Sequence, residues 1–226
     1  MYIQLTTRCN MTCAHCCMNA TKEGEDMSFS TFKKIIDGGH SDYAFLGGGE
    51  PTLNKDFEKM LMYALGRCES VSMVTNGSRT NLAITLAGMN QIGHFSCELS
   101  QDEYHDYIQP EVIQAFYAAG KKADGYDDRY GPDPYARYIR DTSQRLMHNG
   151  RAAENELTNQ VTDPNAGYDA YDCPCDELFV KPSGKILWCG CPDAPEVDPD
   201  NLVEDFFDTL CWTKYNWTFY EDLAAA

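Results

Sequence analysis

Basic residues are scarce in this chain. Its 226 residues include 18 Lys and Arg against 35 Asp and Glu, a formal net charge of −17. Duplex nucleic acid is bound through basic faces that neutralise phosphates, so it is not an expected partner. The acid is concentrated: between positions 161 and 210 only Lys181 and Lys185 interrupt a run of carboxylates from Asp163 to Asp208. Such a surface repels polyanions and suits a basic substrate or electron donor; it reads equally well as a solvated acidic face. No apolar run approaches the roughly 18 residues of a membrane-spanning helix, so no membrane partner is expected. No internal repeat is visible. A cleaved signal segment is not expected either, because the first residues already carry functional cysteines. The length suits one large domain, or one domain with a small extension.

Cysteine is plentiful, at 11 residues. An odd number with clustered spacings reads as metal sites rather than a disulfide framework, and thiolate ligands fit a reducing cytoplasm. Cys9, Cys13 and Cys16 are spaced C-x3-C-x2-C directly after the apolar run Met1 to Leu5. Three thiolates on one short loop can hold three irons of a [4Fe–4S] cluster. The fourth iron is then open to a small molecule.

Coarse patterning gives alternating strands and helices. Strands are expected at Tyr2–Thr6, Tyr43–Leu46, Val71–Thr75 and Ile92–Leu99. Helices are expected from Ser28, as N-cap, to Gly38; from Asn54, as cap, to Gly66; over Leu82–Ala87; and from Pro110 to Ala119. Four βα units in a row imply a parallel sheet with helices outside. On the fourth strand Phe95, Cys97 and Leu99 should face the helices. His94, Ser96, Glu98 and Ser100 should then face the lumen. After residue 120 a Gly-, Asp- and Pro-rich stretch blurs the pattern. Arg137–Arg140 reads as a fifth strand and Thr142–His148 as a short helix.

The run LTTRCNMTCAHC resembles the signature of the radical S-adenosylmethionine (radical SAM) superfamily. Three later segments agree in order and spacing: FLGGGEPTLN (Phe45 to Asn54), VTNG (Val74 to Gly77) and ELSQDEYHD (Glu98 to Asp106). A motif set in its expected strand context is far more specific than one motif alone. The resemblance implies an α/β fold, an open partial (β/α)6 TIM-like barrel. It implies a [4Fe–4S] cluster on Cys9, Cys13 and Cys16, with S-adenosylmethionine (SAM) on the open iron. Gly48, Gly49 and Glu50 would present backbone and carboxylate groups to the methionine ammonium, and Pro51 would fix the turn. Ser100 and Asn76 would contact ribose or carboxylate, or simply satisfy strand ends. His15 fills the position where many members place an aromatic residue against adenine. The segment NGRAAE from Asn149 resembles a Gly-Arg stretch late in some family barrels.

A second cysteine group lies in CPCDELFVKPSGKILWCGC. A three-residue loop ending in Gly184 signals a hairpin. Its register sets Val180 opposite Ile186, Phe179 opposite Leu187 and Leu178 opposite Trp188, and brings Cys175 opposite Cys191. Four thiols gathered this way suit zinc or an iron–sulfur cluster. The spacing from Cys173 through Gly184 to Cys189 is similar to the opening of the family's SPASM and Twitch extensions, which implies a second [4Fe–4S] cluster. The long second half of SPASM is absent, so the shorter Twitch form matches better. Cys175, Cys191 and Cys211 compete as remaining ligands. The expected division is a barrel over 1–160 and a small cysteine-rich extension over 161–226.

The implied activity is reductive cleavage of SAM to a 5′-deoxyadenosyl radical that abstracts hydrogen from a peptide or small metabolite. A flavodoxin- or ferredoxin-like protein would donate the electron. Alternatives are a nucleoside or deazapurine-type synthase or mutase, a glycyl-radical-enzyme activase, and a non-enzymatic iron–sulfur electron-transfer module.

Overall fold

The computed structural model describes residues 1–39, 42–122, 138–140, 150–157, 178–187 and 196–201. The expected alternation is present: β1 Tyr2–Thr6, α1 Phe29–Asp37, β2 Tyr43–Gly48, α2 Phe57–Leu65, β3 Ser70–Thr75, α3 Thr80–Met89, β4 Phe95–Ser100 and α4 Pro110–Lys122. Short elements follow: β5 Ile139–Arg140, α5 Gly150–Glu154, β6 Phe179–Val180, β7 Ile186–Leu187 and β8 Glu196–Val197. The sheet order is β5-β4-β3-β2-β1-β6-β7-β8. Strands β1 to β5 pair in parallel, and β6 pairs in parallel with β1. This mostly parallel, open α/β sheet is the expected partial TIM-like barrel. No helix among the described residues is long and apolar enough to cross a membrane.

One face of each central strand builds the core. Ile3, Leu5, Ala44, Leu46, Val71, Met73, Phe95, Cys97 and Leu99 are all buried. Helices cover them with Phe32, Ile35, Met60, Leu86, Val112 and Phe116. Complete burial of such a side chain contributes about 1.5–3 kcal/mol. Ser28 caps α1 as expected, its Oγ accepting from Thr31 N at 3.1 Å. On β4 the alternation also holds: Phe95, Cys97 and Leu99 face the core, while Ser96, Glu98 and Ser100 stay half-buried on the other face. His94 is a correction, for it precedes the strand and is exposed rather than lumenal.

Asn54 is a second correction. It does not cap α2, which starts at Phe57 after Asp56. Its side chain is buried and donates to Leu5 O at 2.7 Å and Met27 O at 2.9 Å, tying a turn to β1. Its Oδ1 accepts from Asp56 N at 2.9 Å.

The inner face is not uniformly polar. Tyr2 on β1 stacks between Phe45 on β2 and Phe179 on β6, with centroids 5.4 Å and 4.9 Å away. The three share one level of the sheet, so the ladder register aligns the rings. The hairpin β6–β7 has the expected register, Phe179 opposite Leu187 and Val180 opposite Ile186. Gly184, with φ +88°, turns it beside α1. The hairpin continues the main sheet, because β6 lies against β1 rather than beside β5. The expected helix over 142–148 and Cys173, Cys175, Cys189, Cys191 and Cys211 lie outside the described residues.

Candidate active site

The three N-terminal cysteines leave the C-terminal end of β1 on a loop that closes on itself. Thr7 N donates to Glu25 O at 2.8 Å, Cys9 N to Thr21 O at 2.7 Å and Thr21 N to Thr7 O at 3.2 Å. Arg8 then staples the loop with a two-pronged contact to Asp26, Nε to Oδ1 at 2.9 Å and Nη2 to Oδ2 at 2.6 Å. Its Nη2 also donates to Leu53 O at 2.6 Å. Bidentate guanidinium–carboxylate pairs fix orientation as well as distance.

The GGGEP segment packs directly on this loop. Gly49 N donates to Thr6 O at 2.8 Å and Glu50 N to Arg8 O at 2.8 Å. Gly48 N donates to Tyr2 Oη at 2.7 Å. A Cβ on Gly48 would lie 2.2 Å from Thr6 O, and its φ is +125°. A Cβ on Gly49 would lie 2.1 Å from Arg8 O. Only glycine lets the two strand ends approach so closely. Both glycine N–H groups are therefore engaged within the protein. An ammonium group needs acceptors, so backbone carbonyls are what this segment has to offer it.

Glu50 differs from the expectation, which gave its carboxylate to a ligand. The residue is fully buried. Its Oε1 accepts from Thr52 N at 3.2 Å, Thr52 Oγ1 at 2.5 Å and Thr75 Oγ1 at 2.9 Å. Its Oε2 accepts from Asn76 N at 2.7 Å. Burial pushes the carboxyl pKa upward, opposed by these donors, Asn76 N–H first. The side chain therefore locks the tips of β2 and β3 together. Pro51 follows as expected at the start of a one-turn 3-10 helix, Pro51–Leu53, capped by Glu50.

Sequence reasoning missed how the loop is held from its far side. Arg151 N donates to Cys16 O at 2.9 Å, Arg151 Nε to Cys13 O at 3.0 Å and Arg151 Nη1 to Ala20 O at 2.8 Å. Asn155 Nδ2 donates to Ala14 O at 2.9 Å. Gly150, with φ +55°, lets α5 come this near; a Cβ there would sit 2.7 Å from both Cys16 O and Cys17 O. The signal was the Gly150-Arg151 pair in NGRAAE, which resembled a family stretch without indicating a contact. Arg151→Ala is expected to loosen the loop and speed iron loss to a chelator about tenfold, since bonds to a charged group contribute about 1.5–3 kcal/mol. Arg151→Lys should rescue little, because one ammonium cannot reproduce the planar fork. Equal release rates in all three proteins would rule out this role.

Cys9, Cys13 and Cys16 are half-buried and carry free thiols. The Cys13 thiol is pushed up to about 11, first by burial and then by the nearby Cys9 and Cys16. Burial also raises Cys9. Thiols that oppose each other's ionisation are relieved by a bound cationic centre, so this donor set fits an iron–sulfur cluster. Cys17 is half-buried like its neighbours, and its thiol is likewise pushed up to about 11, first by burial and then by Cys16. Cys68 and Cys97 are buried as small apolar side chains.

His15 meets the segment after β4. Its ring lies 5.1 Å from Tyr104 and 5.0 Å from His105, and Nε2 lies 3.5 Å from Asp102 Oδ2. His105 Nδ1 lies 2.8 Å from Asp102 Oδ1, which also accepts from Tyr104 N at 2.9 Å. Burial lowers the His15 pKa, opposed by Asp102. Ring nitrogens and carboxylate of His15, Asp102 and His105 fall within 4.8 Å of one another, a second donor set beside the cysteine loop. Ser100 ends β4 immediately before this group, half-buried on the inner face. The residues after Ser100 were visible in ELSQDEYHD, yet only the fold shows them against His15.

Residues 3–124 match the family model of the Radical SAM superfamily, more than half of the chain. The chain belongs to the radical SAM superfamily. That family is one of enzymes, and its cofactors are a [4Fe–4S] cluster and SAM. The radical SAM chain is 36% identical over 80 residues to the mycofactocin maturase MftC of Mycolicibacterium smegmatis, covering 34% of this chain and 20% of that protein. It is 32% identical over 80 residues to an S-adenosylmethionine-dependent nucleotide dehydratase of Selenomonas ruminantium, covering 34% and 29% respectively. The matched segment thus spans under a third of either relative. In fold the chain is similar to Streptococcus suis SuiB bound to S-adenosylmethionine, with TM-score 0.57 and 14% identity over 94% of this chain and 66% of that one. SuiB bound to precursor peptide SuiA gives 0.51 and 13%, over 92% and 64%.

Proposed function

We propose that this chain reductively cleaves SAM and uses the resulting 5′-deoxyadenosyl radical to abstract hydrogen from a peptide. The observation that carries the reading is the loop of Cys9, Cys13 and Cys16, pinned by Gly49 and Glu50 on one side and Arg151 on the other. Those three thiols would hold the cluster. A cluster held there would supply one electron to SAM and a coordination position for its amino-acid end. The protein's own part is placement: the β2 tip sets the loop height, and Ser100, His15 and the segment after β4 line the neighbouring ground.

A peptide substrate is supported by the fold neighbour SuiB, which has been solved with its precursor peptide. The dehydratase relative supports a nucleotide instead. Incubating the reduced, cluster-loaded chain with SAM and each candidate class separates the two. Mass loss from a peptide with 5′-deoxyadenosine release supports the first; deuterium transfer from a labelled nucleotide supports the second. A flavodoxin- or ferredoxin-like donor fits the requirement for one low-potential electron. A cluster-loaded chain that neither binds nor cleaves SAM would leave only an electron-transfer module.

The same proposal includes a Twitch-like extension over 161–226 with a second [4Fe–4S] cluster. Cys173, Cys189 and Cys191 would ligate it, with Cys175 or Cys211. Support comes from the hairpin register, which matches the one that gathers these thiols. Two clusters require about eight irons per chain and one requires about four. The Cys9, Cys13, Cys16 triple Ala variant is expected to retain about half the iron and the iron–sulfur absorbance. Zinc or free thiols in that variant would refute the second cluster.

A further inference from the structure

The tip of β3 carries a contact that the proposed function leaves unused. Asn76 follows β3 and is buried. Its Nδ2 lies 3.6 Å from Cys9 Sγ and 3.1 Å from Asn10 Oδ1. Its Oδ1 accepts from Ser78 N at 3.0 Å. That acceptor contact fixes the amide. Turned over, it would set Nδ2 against an N–H and Oδ1 against the sulfur. Met11 N donates to the same sulfur at 3.4 Å. The main chain beneath the amide is anchored too, since Asn76 N donates to Glu50 Oε2. The buried carboxylate at the tip of β2 thus sets the tip of β3, and that tip aims an amide at one cysteine. Among the described residues, no other side-chain N–H reaches a thiol of the three.

Adding an electron to a thiolate-bound cluster increases the negative charge on its sulfurs. A fixed N–H dipole pointing at one sulfur stabilises the reduced form more than the oxidised form, and so raises the potential. We propose that Asn76 is a positioning residue that sets the reduction potential of the N-terminal cluster through its N–H···S bond to Cys9, an inference that rests on ligation by Cys9, Cys13 and Cys16. The step it governs is the addition of one electron to the oxidised cluster, from dithionite in the laboratory or from a low-potential donor protein.

The test is a potentiometric titration of the full chain, reconstituted anaerobically and followed by electron paramagnetic resonance without SAM. The relevant signal is the one missing from Cys13→Ala. Asn76→Ala removes the donor. Asn76→Asp keeps the acceptor for Ser78 N and places an anion against the sulfur. Both variants are expected to load iron normally and to be harder to reduce. The reduced-to-oxidised ratio at a fixed potential should fall about threefold for Ala and about tenfold for Asp, the latter equal to about 59 mV for one electron. Should Asn76→Asp load poorly, Asn76→Ser serves beside Ala. A loaded cluster whose midpoint is unmoved or raised in Asn76→Ala overturns the inference alone. A wild-type chain that binds no cluster on the first three cysteines overturns both the inference and the ligation reading beneath it.

Discussion

Replacing Cys9, Cys13 and Cys16 together with Ala is expected to abolish formation of 5′-deoxyadenosine by the reduced chain, while the wild type forms it slowly even without substrate. The expected loss is complete because these three thiols are the cluster ligands the loop supplies, and no described backbone group substitutes for a thiolate. Loss of fold would be a trivial cause, and the packing argues against it. The three side chains are half-buried, with Cys9 and Cys13 packed against the core, and trimming each small thiol to a methyl costs on the order of 1 kcal/mol. The loop is held by contacts the substitutions spare: Arg8 to Asp26, Glu50 N to Arg8 O and Arg151 N to Cys16 O. Circular dichroism and thermal unfolding of the triple variant should therefore track the metal-free wild type. Product formation at the wild-type rate by the variant would overturn the cluster assignment.

Local signals in the sequence were read well. Ser28 marked the start of α1, and alternation oriented β4. The Pro182-Ser183-Gly184 loop fixed the hairpin register, since loop length and a left-handed glycine leave few alternatives. What stayed hidden depends on residues far apart in the chain. Arg151 lies more than 130 positions from the carbonyls it holds. The pairing of β6 with β1 is likewise non-local, and no period or cap encodes which sheet edge a two-residue strand will choose. Asn54 and His94 show another limit. A residue type that often caps a helix can instead satisfy buried carbonyls, and a polar residue next to a strand can fall just outside it. Glu50 combines both problems. Its motif announced a functional residue, yet its partners Thr75 and Asn76 arrive from the next strand, and only their arrival shows that the carboxylate faces inward.

Glu50→Ala should accordingly destabilise the protein before it affects any ligand. The substitution leaves Thr52 N, Thr75 Oγ1 and Asn76 N without their acceptor in a site closed to solvent. Each buried orphan costs about 1–3 kcal/mol, and the vacated space adds a cavity term. A loss of about 3–5 kcal/mol is expected, the range seen when a buried, fully bonded charged group is removed. That is a large share of the roughly 5–15 kcal/mol by which a domain is stable. The effect should spread to the cysteine loop, because the Gly49 and Glu50 main chain carries two of its bonds. Iron loading is then expected to fall together with the melting temperature. Glu50→Gln keeps the shape and can still accept through one oxygen, but its amide N–H would oppose one of the former donors, so an intermediate loss is expected. Urea unfolding of the metal-free variants, with iron content and SAM calorimetry on the folded fraction, decides between positions for this residue. If Glu50→Ala unfolds like the wild type, loads iron fully and only binds SAM about tenfold more weakly, the carboxylate serves the methionine ammonium after all, and the inward role assigned to it is wrong.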